Sequence, residues 1–147
     1  MRPINKVIIH CSATKPSMDI GADTIRRWHT DGNGWSDIGY HFVIRLDGTI
    51  ENGRDIDVVG AHCKGQNTSS IGICYSGGVD ENGDPEDTRA PQQKAALIEL
   101  TSSLSTLFPG ITFHGHKEYS PKACPSFNVE DEGYGTMGSM SRCDCCC

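Results

Sequence analysis

Apolar residues in this chain come in short runs divided by glycine-, asparagine- and aspartate-rich stretches, and the runs follow two different periods. Residues 4–10 (I-N-K-V-I-I-H) have Val7, Ile8 and Ile9 as a continuous apolar centre, which predicts a buried strand. A polar loop from Cys11 follows. Ile25, Trp28 and His29 then recur at helical spacing, which predicts a short helix over 22–30, closed by Asp31-Gly32-Asn33-Gly34. Residues 39–46 are rich in β-formers. With the Asp47-Gly48 step and Thr49-Ile50-Glu51 they predict a hairpin.

Residues 70–75 (S-I-G-I-C-Y) predict a second buried strand, and 77–90 a loop of glycines and acids. Pro91 suits the first position of a helix, with Ala95, Leu97, Ile98, Leu100, Leu104, Leu107 and Phe108 as its apolar face. A last short strand is expected at 111–113, leading into a loop over 114–127. After Val129 the pattern stops: 133–140 has no periodicity and the chain ends C-D-C-C-C. The expectation is one domain over 1–130 and a disordered tail over 131–147. Strands interleaved with two helices predict an α/β domain, with a central mixed sheet because the hairpin must be antiparallel.

Composition narrows the class. With 36% hydrophobic and 22% charged residues over 147 positions, the chain is long enough for a core of its own. A net charge of -6 gives no electrostatic footprint for nucleic acid and little attraction to anionic lipid. No stretch is long and apolar enough to span a membrane, and residues 1–10 enter a strand directly without the pattern of a secretory signal. The expectation is therefore a cytoplasmic protein without a signal peptide.

Of the eight cysteines, Cys11, Cys63, Cys74 and Cys124 are scattered through the body, and Cys143, Cys145, Cys146 and Cys147 crowd the end. That distribution is not a disulfide scaffold. Free cysteines ordinarily serve as small packing residues, the expectation for Cys11, Cys63 and Cys74.

Histidine and cysteine side chains at strand ends and in loops are common zinc ligands, and a zinc with three protein ligands and an open position can acidify water and polarise a carbonyl. His10 ends the first strand. His116 follows the last one, and Cys124 lies in the same loop between Pro121 and Pro125. Spacing alone leaves this open, since H-x7-C matches no zinc finger and an isolated histidine is more often a core or surface residue.

Longer motifs add to it. H-C-S-A-T-K-P-S at His10, R-R-W-H at Arg26, G-Y-H-F-V-I-R-L-D-G-T-I-E-N-G-R-D at Gly39, A-H-C-K-G-Q-N-T-S-S-I-G-I-C at Ala61 and H-K-E-Y-S-P-K-A-C-P-S-F at His116 occur in that order. Together, over about residues 5–129, they closely resemble the zinc amidases of the phage-lysozyme and peptidoglycan-recognition-protein family. The resemblance implies a zinc cleft at one edge of the sheet, one Zn2+ per chain held by His10, His116 and Cys124, and catalytic roles for Tyr40 and Lys122. It also implies hydrolysis of the amide between N-acetylmuramic acid and L-alanine in peptidoglycan, with the enzyme reaching the wall after release from the host cytoplasm. His62 matches a loop near the family's substrate groove and is expected to bind substrate. His114 is the local rival to His116, and the motif spacing assigns it a supporting role.

Trp35 is read either as a sugar-stacking residue or as a cap on the core. His29 and His41 are read as structural, Asn67 as a loop organiser, and Asp55 and Asp57 as solvated. Two rival functions remain: a peptidoglycan-binding module without activity, against which Cys124, Tyr40 and Lys122 speak, and a regulatory protein that meets an unidentified partner through the acidic loop 80–87.

Overall fold

The structure, a computed structural model, describes residues 2–135. Five strands form one mixed sheet. They are β1 (Lys6–Cys11), β2 (Phe42–Ile44), β3 (Ile50–Asn52), β4 (Ser70–Tyr75) and β5 (Thr112–Gly115), in the order β3-β2-β4-β1-β5. Only β2 and β3 pair antiparallel, through the Asp47-Gly48 turn in which Gly48 takes φ 90. β2, β4, β1 and β5 are parallel neighbours. The central strands β1 and β4 are covered on both faces, which is why they are continuous apolar runs rather than alternating ones.

Side chains of successive strand residues go to opposite faces. Val7, Ile9, Ile71, Ile73 and Tyr75 join one core cluster with helix α2 (Pro91–Leu107). Val43 and Cys74 join a second cluster with Ile20, Ala22, Ile25 and Ile38, around helix α1 (Ala22–Arg27).

Three sequence expectations shift. The helix expected over 22–30 is α-helical only to Arg27 and then widens into a π-turn, Trp28–Gly32. There the Thr30 hydroxyl donates to the Arg26 carbonyl at 2.8 Å, a back-bond that bends helices. Trp28 points outward, while His29 Nδ1 accepts the Gly39 N–H at 2.8 Å.

The buried face of α2 is Gln93, Ala96, Leu97, Leu100, Thr101 and Leu104, not the face that included Ala95, Ile98 and Leu107. Each residue advances about 100° round a helix, so Ile98 leaves the stripe that Leu97 occupies. Polar Gln93 fits because its amide donates to the Ser76 carbonyl at 2.8 Å and its oxygen accepts the Ala90 N–H at 2.9 Å.

The boundary expected after residue 130 falls inside a 3-10 turn, Val129–Glu132, and the buried Tyr134 belongs to the α2 core cluster. Residues 131–135 are therefore part of the packed body, and the rest of the expected tail, 136–147, lies outside the described residues.

Arg89 holds that end in place. Its side chain is 3% exposed, pairs with Asp87 at 2.8 Å and Glu132 at 3.0 Å, and lies 3.5 Å over the Phe127 ring. Arg89→Ala would leave two partly buried carboxylates unpaired and a hole beside Phe127. It is expected to lower unfolding free energy by about 3 kcal/mol, the low end for losing one partner of a buried ion pair. A urea-unfolding midpoint unchanged from the parent chain would refute this.

Candidate metal centre

The sheet's topology brings distant residues to one place. In a parallel sheet, ligand groups collect at the carboxyl ends of the strands. β1 ends at His10 and Cys11. β5, the edge strand beside it, ends at Gly115 and passes directly into the 3-10 turn His116–Glu118. The Glu118 carboxylate accepts the Gly115 N–H at 2.8 Å and so closes that turn.

Cys124 arrives on a loop fastened from beneath. The Tyr75 hydroxyl, at the end of β4, donates to the Pro125 carbonyl at 2.7 Å. The Ser126 hydroxyl donates to the Gly78 carbonyl at 2.7 Å. A side chain at Gly115 would meet Pro125 at 3.0 Å, so the bare glycine lets this loop lie against the strand end.

The result is one cluster. A nitrogen from His10, one from His116 and the Cys124 sulfur lie within 4.8 Å of one another. Among the described residues this is the one group of three or more histidines, cysteines or carboxylates able to hold a metal ion. His10 is buried; His116 and Cys124 are half-buried, so the cluster opens to one side. Two nitrogens and a sulfur within reach of one centre, with an open side, fit zinc with three protein ligands and a free position.

The surroundings keep both histidines in the neutral form that can ligate. Burial, then the neighbouring His62 and His116, lowers the His10 pKa well below 6.5. Burial, then the Lys122 charge, lowers that of His116. The Cys11 N–H donates to Cys124 Sγ at 3.2 Å. A hydrogen bond between the two thiols draws Cys11 down to about 7, and the same bond together with burial pushes Cys124 up. A coordinating thiol is deprotonated outright, so a metal held by Cys124 would act against that upward shift.

Tyr40 stands against His10, ring centroids 5.0 Å apart. Burial, then the Cys74, Cys124 and Cys11 thiols, raises its pKa well above 10.0, so its hydroxyl remains a hydrogen-bond donor. Lys122 is exposed at the rim, close enough to His116 to be felt by it. His62 lies edge-on to His10, centroids 4.9 Å apart, with His62 Nδ1 2.9 Å from His10 Nε2.

A groove of about 320 Å³ leads from the cluster, lined by Trp35, Ala61, His62, Cys63, Lys64, Asn67 and His116. Trp35 is thus a groove wall, 38% exposed, rather than a cap on the core. The larger cavity of about 450 Å³, between α2 and the Val129–Gly135 segment, is lined by none of the cluster residues.

His114 is turned to other work. Its Nε2 lies 2.7 Å from the Thr112 hydroxyl and its Nδ1 3.0 Å from a Glu118 oxygen. Asn67 Oδ1 accepts the N–H groups of His62 and Cys63 and so shapes their loop. In the acidic loop, Asp80 caps a local turn through the N–H groups of Asn82 and Asp84, and Asp87 pairs with Arg89.

Sequence reasoning missed Cys11, read as packing alone, and the supports Tyr75 and Ser126. A strand pattern shows that such residues are buried, but not which loop crosses them.

His41 is buried with Nδ1 accepting the Gly72 N–H at 3.0 Å and Nε2 2.9 Å from the Val58 carbonyl. Burial lowers its pKa below 6.5, against the Val58 bond that raises it. The unfolded chain takes up this proton as pH falls through about 6.5, whereas the folded chain does not. Stability should therefore fall with falling pH from that point, by no more than about 1.4 kcal/mol per pH unit for this one group, until the lowered folded value is reached. Protonation of His41 at the ordinary value in an NMR titration would contradict it.

A sequence model described as N-acetylmuramoyl-L-alanine amidase matches residues 1–127. The endolysin of Klebsiella phage KP32 is 48% identical over 126 residues, covering 86% of this chain and 83% of the relative. The endolysin of Escherichia phage T7 is 46% identical over 124 residues, covering 84% and 82%. Among solved structures, the N-acetylmuramoyl-L-alanine amidase LysC from Clostridium intestinale superposes with a TM-score of 0.77 at 31% identity, over 90% of this chain and 84% of that one.

Proposed function

The chain belongs to the N-acetylmuramoyl-L-alanine amidase family and is an amidase of bacterial peptidoglycan; we propose that it works with one zinc ion, held by His10, His116 and Cys124, to cut the bond between N-acetylmuramic acid and L-alanine. The observation that carries the zinc reading is the convergence of these three side chains from two strand ends and a loop within 4.8 Å. The chemistry zinc supplies to such a site is an acidified water and a polarised carbonyl.

The chain's own residues do the rest. The groove beside His116 takes the glycan–peptide strand, with Trp35 as an apolar wall and His62 at the boundary between groove and cluster. Tyr40, kept protonated, donates to the carbonyl oxygen as charge builds there. Lys122 adds a positive charge from the rim, where it adapts to the bound substrate. Burial of His10 excludes water behind the reacting bond and strengthens these interactions.

No helix among the described residues is long and apolar enough to cross a membrane. The enzyme is proposed to meet the wall after release from the host cytoplasm, as an endolysin does.

The test pairs metal analysis of the purified chain with mass spectrometry of digested cell wall. About one zinc per chain is expected, along with new L-alanine amino termini, no new reducing sugar ends, and loss of activity on chelation that zinc restores. Reducing ends in place of amino termini would mean glycosidase chemistry. Wall binding without any product would mean a recognition module.

A further inference from the structure

Behind the metal cluster runs a chain of hydrogen bonds whose direction is set at its far end. His10 Nε2 lies 2.9 Å from His62 Nδ1. His62 Nε2 lies 3.3 Å from Ser70 Oγ. Ser70 Oγ lies 2.7 Å from the Gln66 carbonyl oxygen. A carbonyl only accepts, so the serine hydrogen points to Gln66 and Ser70 Oγ receives a hydrogen from His62 Nε2. A neutral His62 then has a bare Nδ1 and accepts from His10 Nε2–H. A neutral His10 protonated on Nε2 has its lone pair on Nδ1, the nitrogen left to face a metal.

We propose that His62 is a positioning residue for His10: the relay from the Gln66 carbonyl through Ser70 and His62 fixes which nitrogen of His10 is available to the metal, and how its ring is turned. This rests on the zinc reading above. The geometry is held from several sides. The His62 N–H is tied to Asn67 Oδ1 at 2.9 Å, and the two rings stand at 88° to each other. The His62 ring also lies directly on β4, where a side chain at Gly72 would come within 2.6 Å of it. Both ring nitrogens of His62 are thus engaged within the protein. Its part in the groove is that of a wall, and its polar work is directed at His10.

Metal-ligating histidines ordinarily have such an outer partner, and its loss costs about 10–100-fold in metal affinity. His62→Ala should weaken zinc binding by about that factor, measured by chelator competition on the zinc-loaded full-length chain. His62→Asn places an amide oxygen near the Nδ1 position, so it should stay within about threefold of the parent by keeping the acceptor. A merely structural role would not produce that rescue. Equal losses in folded alanine and asparagine variants, or no loss in alanine, would overturn the proposal.

A second readout needs no variant. NMR of the unchanged chain should find the His62 proton on Nε2, and a proton on Nδ1 would overturn the relay even if His62→Ala failed to fold. This also separates the two readings. A chain that takes up no zinc fails the proposed cofactor, yet the protonation site of its His62 still decides this proposal.

Discussion

Replacing Cys124 by serine should remove the metal and wall hydrolysis together. The substitution keeps the side chain's size, so the fastening of the loop by Tyr75 and Ser126 is untouched and the fold should persist. What changes is the donor: a thiolate becomes a hydroxyl that does not ionise near neutral pH. Structural zinc sites gain about 10–16 kcal/mol from roughly four ligands, or about 3 kcal/mol for each. Zinc affinity should therefore fall by on the order of 10²-fold or more. Metal content after dialysis and lysis of cell walls are the two measurements, and they should fall in step. A Cys124→Ser protein that holds no zinc yet hydrolyses walls at the parental rate would end the metal mechanism.

The second large effect should separate chemistry from metal binding. Lys122→Ala and Tyr40→Phe leave His10, His116 and Cys124 in place, so zinc content should stay near that of the parent. Each removes a group proposed above to act on the charge that develops on the carbonyl oxygen. Turnover should fall by about 10²- to 10³-fold, as for loss of a single oxyanion donor. Because such an interaction forms mainly in the transition state, kcat and kcat/KM should fall together while substrate binding changes little.

The two residues should differ in how they can be replaced. Lys122 is exposed and has room to move, so Lys122→Arg should recover part of the activity through charge alone. Tyr40 is packed against His10 with its hydroxyl held among thiols, and phenylalanine keeps that packing while deleting the donor. Parental turnover in both Lys122→Ala and Tyr40→Phe would remove these two residues from the reaction.

Much of the architecture could be read along the chain because it depends on neighbours in sequence. The V-I-I and S-I-G-I-C-Y runs are strands because a parallel strand covered on both faces must be apolar throughout. Asp47-Gly48 turns the hairpin because glycine takes the positive φ there at little cost. Pro91 opens α2 because its fixed φ suits a first helical turn. The candidate ligands were legible for a different reason, a resemblance carried by long motifs at His10 and His116.

Other features depend on residues that meet only in the folded chain. Which side of α2 is buried was decided by the sheet beneath it, against the apparent stripe through Ile98 and Leu107. Trp35 became a groove wall because the loop from Ala61 to Asn67 stands across from it. Tyr134 joined the core because Arg89, more than forty positions earlier, binds Glu132 and covers Phe127. His62 met His10 because β1 and β4 run parallel in a register that sets His10 beside Cys74, while the loop before β4 folds back over Gly72. A pattern of apolar and polar positions specifies which residues leave water, but the partner each one finds there depends on how separate segments cross, and only the tertiary structure decides that.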